Sequence, residues 1–433
     1  MNRRHDKHRE AIRPPLLGCI ADDFTGATDL AGVLVKNGMR TIVTLSIPER
    51  KSISNVDAVV IALKSRNAAR RDAVEMSLAA LRWLRNAGCR QFFFKYCSTF
   101  DSTSEGNIGP VAEALMDALR TKFTIACPAF PANRRTVYNG YLFVNGRLLQ
   151  ESGMQFHPLN PMTDSNLVRL LQAQSAGKVS LIGYSIVGCG ATCITHALIE
   201  ARATESAFAI LDAISDANLR DIALACQDLP LLTGASGLAI GIPDTFRSRG
   251  LLESGLNAEL IPSVPGLSAI ISGSCSEATQ RQVAWIEDRM PTLKLDPLSA
   301  AADSELSAKS VRWARSQMPD GPVLITTTAN AASVKASQRE LGTEGAARLA
   351  ETLLAGIAHE LVRHGVRRLI IAGGETSGAV LKRLRIQSLR VGPQIDPGVH
   401  WSISDGKVRL ALALKSGNFG GIDFFTKAWG LLS

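Results

Sequence analysis

Short apolar runs with strand character alternate with helical segments along almost the whole chain of 433 residues. Parallel strands need long crossover connections, which are usually helices, so this alternation predicts mainly parallel sheets covered by helices on both faces. The runs predicted as strands span residues 16–21, 41–45, 58–63, 91–94, 124–127, 179–182, 268–272, 323–327, 368–372 and 408–414. The clearest predicted helices span 28–37, 72–87 and 380–384. The predicted fold class is therefore α/β.

The length of the chain and one break in its pattern predict two domains. A chain this long exceeds what a single hydrophobic core usually organises. Residues 257–266 contain two prolines, which interrupt a helix or an inner strand, and we interpret them as a linker. The predicted domains are 14–258 and 264–433, each a mainly parallel sheet flanked by helices. Ligands of such sheets bind at the carboxyl ends of the strands, so we expect the active site in the interdomain cleft.

Composition and charge narrow the classes of function. The net charge is +9, and residues 1–13, which we interpret as a disordered leader unlike a signal peptide, contain five basic and two acidic side chains. Nucleic-acid-binding proteins usually add stacking aromatics to a basic face, whereas aromatics here are only 5%. We therefore expect small anionic metabolites or nucleotides as partners, not nucleic acid. No stretch looks long and apolar enough to cross a bilayer, so we expect a cytoplasmic protein without a membrane partner. Homo-oligomerisation is left open.

The eight cysteines are interpreted as reduced, buried thiols. Cys189, Cys193 and His196 are spaced four and three residues apart, as metal ligands on one helix face can be. A structural zinc site normally needs a fourth ligand, and none follows nearby. The favoured interpretation is a helix face that packs against a sheet.

Polar residues follow two predicted strands near the start of the chain. Asp22 and Asp23 come directly after the first strand, where paired carboxylates could bind a hydroxyl, accept its proton or hold Mg²⁺. The alternative is that one of them caps the following helix. Arg66 follows the strand at 58–63, where it could hold a carboxylate through two parallel hydrogen bonds or be an ordinary surface arginine.

The loop at 95–109 combines hydroxyls, an acid and glycines at a density that favours a site for a polyhydroxylated ligand. Its candidate residues are Thr99, Phe100, Asp101, Ser102 and Asn107. An irregular insertion follows at 128–161 and is typical of a lid or part of a site. His157 and His400 are the histidines nearest such loops, and both are interpreted as structural or supporting residues.

Three further turns favour nucleotide binding in the second predicted domain. Glycines at 373 and 374 precede a helix whose backbone N–H groups could bind phosphate, although a plain connecting turn is the alternative. Turns at 272–276 and 414–421 have similar small residues and singly are as consistent with ordinary loops. Neither a GxxxxGK[ST] phosphate loop nor an intact GxGxxG after a strand occurs.

Taken together, these turns resemble the four-carbon acid sugar kinase family. The resemblance is carried by ADDFTGA at 21–27, DSTSEGNIG at 101–109 and GGETSGA at 373–379, and it extends from about residue 17 to 425. The most similar branch is that of the 3-oxo-tetronate 4-kinases, through KYCSTFDSTSEGNIGP at 95–110, CPAFPANRRTVYNGYLF at 127–143 and ESGMQFHPLNPMTDSN at 151–166. Related threonate and erythronate kinases tend to have a lysine where this chain has Thr99.

The resemblance implies that the first domain binds a sugar acid and the second binds ATP with Mg²⁺. It implies transfer of the γ-phosphoryl group of ATP to the C4 hydroxyl of a 3-oxo-tetronate. The implied substrate-binding residues are Asp22, Asp23, Arg66, Thr99, Phe100, Asp101, Ser102 and Asn107. The implied nucleotide-binding residues are Ser272, Ser274, Gly373, Gly374, Glu375, Thr376 and Gly417. Asp23 is the first choice as catalytic base and Asp101 the second, while no metal ligand is assigned.

Three alternatives stay open at this point. Within the family, the acceptor could be D-threonate or D-erythronate. A nucleotide-dependent dehydrogenase would also use two α/β domains, but the missing GxGxxG argues against it. A non-catalytic sensor of sugar acid and nucleotide would bind both ligands without turnover.

Overall fold

The computed structural model describes residues 13–432 except 50–52, 54, 158, 256, 297–298, 300–302, 329–338, 340–341 and 407. Most of the basic N-terminal stretch therefore lies outside the described residues. Within them, no helix is long and apolar enough to cross a membrane.

Strands and helices alternate as predicted. The described strands are β1 (Leu17–Ala21), β2 (Thr41–Thr44), β3 (Ala58–Ala62), β4 (Gln91–Lys95), β5 (Thr124–Cys127), β6 (Arg135–Tyr138), β7 (Tyr141–Val144), β8 (Arg147–Leu148), β9 (Lys178–Ile182), β10 (Ser206–Leu211), β11 (Leu231–Gly234), β12 (Leu267–Ser272), β13 (Thr292–Lys294), β14 (Val323–Thr326), β15 (Val366–Ala372), β16 (Ser388–Asp396), β17 (Val399–Ser404) and β18 (Ala411–Lys415).

The described α-helices are α1 (Phe24–Lys36), α2 (Arg70–Asn86), α3 (Ile108–Leu119), α4 (Leu167–Gln174), α5 (Tyr184–Val187), α6 (Ala191–Ala203), α7 (Asp216–Ala225), α8 (Ile242–Ser248), α9 (Glu277–Ile286), α10 (Leu306–Gln317), α11 (Thr343–Arg363), α12 (Gly374–Arg383) and α13 (Phe424–Lys427).

The chain forms two compact units. The first comprises the described residues up to Asp22, Met39–Thr41 and Ile47–Ser254. The strands of its main sheet run in the order β3-β1-β4-β11-β5-β10-β9, and all of their pairings are parallel, whereas β6, β7 and β8 form a small separate antiparallel sheet. The central strands are buried along their whole length, as expected for a sheet covered on both faces. The last residues of β1, β3 and β4 lie in register, so the turns after these three strands emerge side by side.

The second unit comprises Asp23–Gly38, Ile42–Ser46 and Gly255–Ser433. Strands β13-β14-β12-β15-β18 are parallel, and β17, β16 and β2 continue the order with antiparallel pairings. The ends of β12, β14, β15 and β18 are in register, which brings their following turns to one edge. The prediction of two α/β units with sheets and flanking helices is confirmed.

Helix α1 and most of β2, from the N-terminal half of the chain, belong to this second unit. A single domain boundary between residues 258 and 264 does not predict this arrangement. Residues Ile42 to Thr44 of β2 pair with Ser388 to Arg390 of β16. Helix α1 contacts β16 and β17, where Gly32 leaves room for the buried ring of His400. Any side chain at position 32 would overlap that ring, because a Cβ atom there would lie 2.1 Å from it.

The predicted packing of the cysteine-containing helix face is wrong. Cys189, Cys193 and His196 are exposed, and α6 instead buries Ile194, Ala197, Leu198 and Ala201. The larger aliphatic side chains Ile194 and Leu198 determine the inward face, because burying them removes more apolar surface from water than burying small thiols would. All eight cysteines are free thiols, and those at 189 and 193 contradict the expectation that every thiol is buried.

Candidate active site

A buried ion pair joins two of the predicted substrate-binding residues in the first unit. Asp22, at the end of β1, is only 5% exposed. The Nε and Nη2 atoms of Arg66 donate to its two carboxylate oxygens at 2.8 and 2.9 Å. Such a bidentate pair fixes the guanidinium plane. The backbone N–H of Arg66 also donates to the carbonyl of Asp22 at 3.2 Å, so the turn after β1 and the turn after β3 are held together.

The third carboxyl-end turn brings Asp101 to the same arginine. The Nη1 atom of Arg66 donates to Asp101 Oδ2 at 3.1 Å. Phe100 and Asp101 have φ values of 61° and 46°, a left-handed conformation that is uncommon for residues with side chains. The Phe100 ring is buried edge-on against Tyr96, with 5.7 Å between centroids, and this packing stabilises the strained turn.

The irregular insertion supplies a contact that the sequence did not identify. The side-chain amide of Asn160 donates to Asp101 Oδ1 at 3.0 Å, to its carbonyl at 3.2 Å and to Asn67 Oδ1 at 2.8 Å. His157 Nδ1 accepts the backbone N–H of Asn160 at 3.1 Å and lies 3.8 Å from Asp101 Oδ1. The insertion therefore contacts the acid loop directly. The only sequence signal was the polar character of the insertion itself.

Other predicted residues of this loop stabilise its conformation. The amide of Asn107 donates to the carbonyls of Ser65, Arg66 and Ala68 at 2.9 to 3.1 Å. Ser102 Oγ accepts the amide of Gln174 at 3.0 Å. The hydroxyl of Thr99 lies 3.1 Å from Cys97 Sγ. These side chains are buried, and Asn107 holds the loop against the segment that contains Arg66.

Asp23 caps a helix, which was the alternative interpretation for one of the two adjacent acids Asp22 and Asp23. Its Oδ1 accepts the backbone N–H of Gly26 at 3.0 Å, as the N-cap residue of α1. By its contacts it belongs to the second unit, although it follows Asp22 directly along the chain. The two adjacent carboxylates are thus separately engaged, one with Arg66 and one with a helix N-terminus.

The second unit has a helix N-terminus suited to phosphate. Gly373 precedes α12 with φ of 121°, and no side chain caps the helix. The N–H groups of the first helical turn have no acceptor within their own helix. A Cβ atom at position 373 would lie 2.8 Å from Thr376 Oγ1, so the tight turn requires glycine. At Gly374, by contrast, a Cβ atom would meet no heavy atom of the described chain within 4 Å apart from its chain neighbours and the backbone of its own helix.

Neighbouring turns line the same edge. Ser272 is fully buried and its hydroxyl lies 2.8 Å from that of Thr328, which donates to the carbonyl of Ser274 at 2.9 Å. The hydroxyl of Ser274 is partly exposed and donates to Ser276 Oγ at 3.2 Å. Ser276 and Thr279 both donate to the carbonyl of Gly417, at 2.6 and 2.8 Å. Of the two predicted serines, only Ser274 has an exposed surface to offer a ligand.

Comparison with known proteins assigns the two halves of the chain to two domain families. A family model described as a sugar-binding N-terminal domain matches residues 17–242, and one described as a nucleotide-binding C-terminal domain matches 269–425. A 3-oxo-tetronate kinase of Pseudomonas fluorescens is 54% identical over 97% of both chains, and one of Burkholderia multivorans is 53% identical over 96% of both. The chain belongs to the four-carbon acid sugar kinases. A solved structure from Haemophilus influenzae is 41% identical, with a TM-score of 0.87 over 96% of this chain and 100% of the other.

Membership in this kinase family confirms the predicted resemblance and the division of roles between a sugar-binding and a nucleotide-binding half. The cluster of Asp22, Arg66 and Asp101 lies in the region matched by the sugar-binding domain. The turn at Gly373 that precedes α12 lies in the region matched by the nucleotide-binding domain. The individual residue roles and the location of the active site in a cleft stay predictions. Among the described residues, no group of three or more His, Cys, Asp or Glu side chains could hold a metal ion.

The nucleotide-binding half also contains a buried lysine, for which the sequence analysis predicted no role. Lys415 ends β18 and is 0% exposed. Its Nζ atom donates to Thr279 Oγ1 at 2.9 Å and to the carbonyls of Gly417 and Ser416 at 3.0 and 3.3 Å. Burial lowers its pKa to about 8.

Proposed function

We propose that this kinase transfers the γ-phosphoryl group of ATP to the C4 hydroxyl of a 3-oxo-tetronate. The observation that carries the proposal is the pair of sites at strand ends. A charged cluster lies in the sugar-binding region, and an uncapped helix N-terminus lies in the nucleotide-binding region. The relatives named as 3-oxo-tetronate kinases support the choice of acceptor.

The buried cluster is suited to a small, hydroxylated acid. Carboxylate oxygens of Asp22 and Asp101 accept hydrogen bonds from hydroxyls, and the guanidinium of Arg66 offsets the charge of one of these two acids. Because Arg66 is bonded to both acids, all three side chains are fixed before substrate binds. Pre-positioned groups orient an attacking hydroxyl without reorganisation, and orientation is a large part of catalysis in phosphoryl transfer.

The N-terminus of α12 is suited to the phosphates of ATP. Backbone N–H groups of Gly374, Glu375 and Thr376 point out of the first turn, and the helix dipole adds partial positive charge there. The exposed carboxylate of Glu375 has the oxygen chemistry that Mg²⁺ prefers and is our candidate for holding it, directly or through water. Mg²⁺ bound with the nucleotide would neutralise phosphate charge.

Asp23 is our first candidate for the general base and Asp101 our second. Phosphoryl transfer requires the acceptor hydroxyl to lose its proton, and a positioned carboxylate can take it. The N-cap hydrogen bond holds Asp23 in one orientation at the start of α1. That fixed orientation is the reason for preferring it.

A coupled assay of ADP release tests the function. We expect turnover with 3-oxo-tetronates in the presence of Mg²⁺, and much slower turnover when the metal is removed by chelation. D-Threonate and D-erythronate should be poor acceptors. Faster turnover with either reduced acid would move the assignment to that kinase. Binding of ATP and acid without ADP release would instead indicate a sensor.

Replacing Asn160 with alanine should impair binding of the acid and leave ATP binding intact. The variant removes the hydrogen bonds that hold Asp101 and its carbonyl. We expect KM for the sugar acid to rise by about tenfold, the equivalent of about one hydrogen bond to a charged group. Steady-state kinetics with both substrates varied measure this. Gln155→Ala, in the same insertion, is the control, and equal effects of both variants would exclude a specific role for Asn160.

A further inference from the structure

The buried ammonium group of Lys415 is unusual in its surroundings. All its hydrogen-bond partners in the described chain are neutral oxygens, namely one hydroxyl and two carbonyls. Among the described residues, no carboxylate forms an ion pair with it. A buried charge normally has an opposite charge beside it, because removing the ion from water costs several kcal/mol, by an order-of-magnitude estimate. The lack of a carboxylate partner among the described residues is therefore the feature that requires explanation.

The position of Lys415 links the turns that line the predicted nucleotide site. Its carbonyl accepts the N–H of Gly373 at 2.8 Å, directly before α12. Its ammonium group contacts Thr279 in the first turns of α9 and the carbonyl of Gly417. Gly417 in turn approaches Ser274, since a Cβ atom at 417 would lie 2.7 Å from Ser274 Oγ. Lys415 thus contacts two of the three turns, and Gly417 connects it to the third.

We propose that Lys415 is a positioning residue for ATP, which lies beside these turns and supplies a buried positive charge whose counter-ion is the bound triphosphate. This inference rests on the proposed nucleotide site. Lys415 does not need to touch the phosphates, because its field acts over several ångströms in a low-dielectric interior. Nucleotide binding then offsets the cost of burying the ammonium group.

A purely structural lysine and a charge-supplying lysine predict opposite results for Lys415→Met. Methionine is similar in length and apolar, and Gly417 keeps its hydrogen bonds from Ser276 and Thr279. Removing an uncompensated buried charge should leave Tm unchanged or raise it. A structural role predicts lower Tm, whereas the proposed role predicts weaker ATP binding with Tm maintained.

The charge state of Lys415 gives a second, independent readout. Burial alone lowers its pKa to about 8. The groups that face its ammonium are the hydroxyl of Thr279 and two carbonyls, and the acids on the adjoining helices, Glu277 and Glu375, are both exposed. Phosphate groups of ATP stay ionised at alkaline pH. Affinity for ATP should therefore fall as pH rises through the pKa of Lys415, because the attracting charge is lost.

The experiment is isothermal titration of ATP into wild type, Lys415→Met and Lys382→Met, between about pH 7.5 and about pH 9.5. Lys382 is exposed in the last turn of α12, so its variant is a control with the same change in charge. We expect Lys415→Met to bind ATP about tenfold or more weakly at the lower pH and to lose the pH dependence. Lys382→Met should behave as wild type.

Three results would overturn the inference: unchanged ATP affinity in Lys415→Met, a pH dependence that survives in it, or a wild-type affinity that is flat across the range. A flat wild-type affinity would overturn the inference even if Lys415→Met does not fold. Thr279→Val adds a further test, because it removes the hydrogen bond from the ammonium group of Lys415 to the Thr279 hydroxyl and should lower the pKa of Lys415. The fall in ATP affinity should then occur at a lower pH than in wild type. A wild type that binds no ATP at any pH would instead refute the proposed function.

Discussion

Asp23→Asn should lower kcat by about 10²- to 10⁴-fold, the range for loss of a general base. Asparagine caps helices as well as aspartate does, so the hydrogen bond from Gly26 and the start of α1 should be retained. Tm should therefore stay unchanged while turnover falls. Steady-state ADP release and thermal unfolding, measured on the same preparation, separate chemistry from folding.

Two companion variants make the test of Asp23 decisive. Asp23→Ala removes the cap as well as the carboxylate, so it should lose about 1 kcal/mol of stability in addition to activity. Asp101→Asn keeps the shape of the side chain but weakens its ion pair with Arg66, so KM for the sugar acid should rise. Near-normal turnover in Asp23→Asn together with lost turnover in Asp101→Asn would identify Asp101 as the base.

Gly374→Ala should raise KM for ATP by about tenfold to 100-fold without destabilising the protein, as expected from losing one or two charged hydrogen bonds to phosphate. An alanine methyl at this position meets no heavy atom of the described chain within 4 Å apart from its chain neighbours and the backbone of its own helix. It would nevertheless occupy the space in front of the first turn of α12, where a phosphate must approach the backbone. Kinetics with ATP varied at saturating acid measure the effect.

Gly378 offers a matched control in the same helix. A Cβ atom there also meets no heavy atom of the described chain within 4 Å apart from its chain neighbours and the backbone of α12, but it lies one turn away from the helix N-terminus. Gly378→Ala should leave KM for ATP unchanged and stabilise α12 by about 0.5–1 kcal/mol, because glycine is a poor helix former. Equal effects of the two alanines on ATP would exclude phosphate binding at this turn.

The sequence predicted the sheets because their strands are buried on both faces and appear as continuous apolar runs. The carboxyl end of β1 and both ends of β5 were predicted to the residue, and Asp22, Arg66 and Asp101 do converge where parallel strands end. Helix α12 was predicted to begin at residue 380 but begins at Gly374. Its first five residues include two glycines, which have low helix propensity and therefore hide the start of the helix in the sequence.

Long-range pairings are what the sequence could not reveal. Helix α1 and strand β2 associate with β16 and β17, which follow more than 300 residues later in the chain. Strands β16 and β17 were not predicted, and no local pattern specifies an antiparallel partner so distant. The same limit applies to Asn160, whose contact with Asp101 spans 59 residues, and to Lys415, whose burial depends on turns from α9.

A crystal structure with a non-hydrolysable ATP analogue tests phosphate binding at α12 most directly. We expect phosphate oxygens about 2.7–3.2 Å from the backbone nitrogens of Gly374, Glu375 and Thr376, the distance of an N–H···O hydrogen bond. A triphosphate bound elsewhere in the protein, with this first helical turn left in contact with solvent alone, would contradict the assignment of ATP to this site.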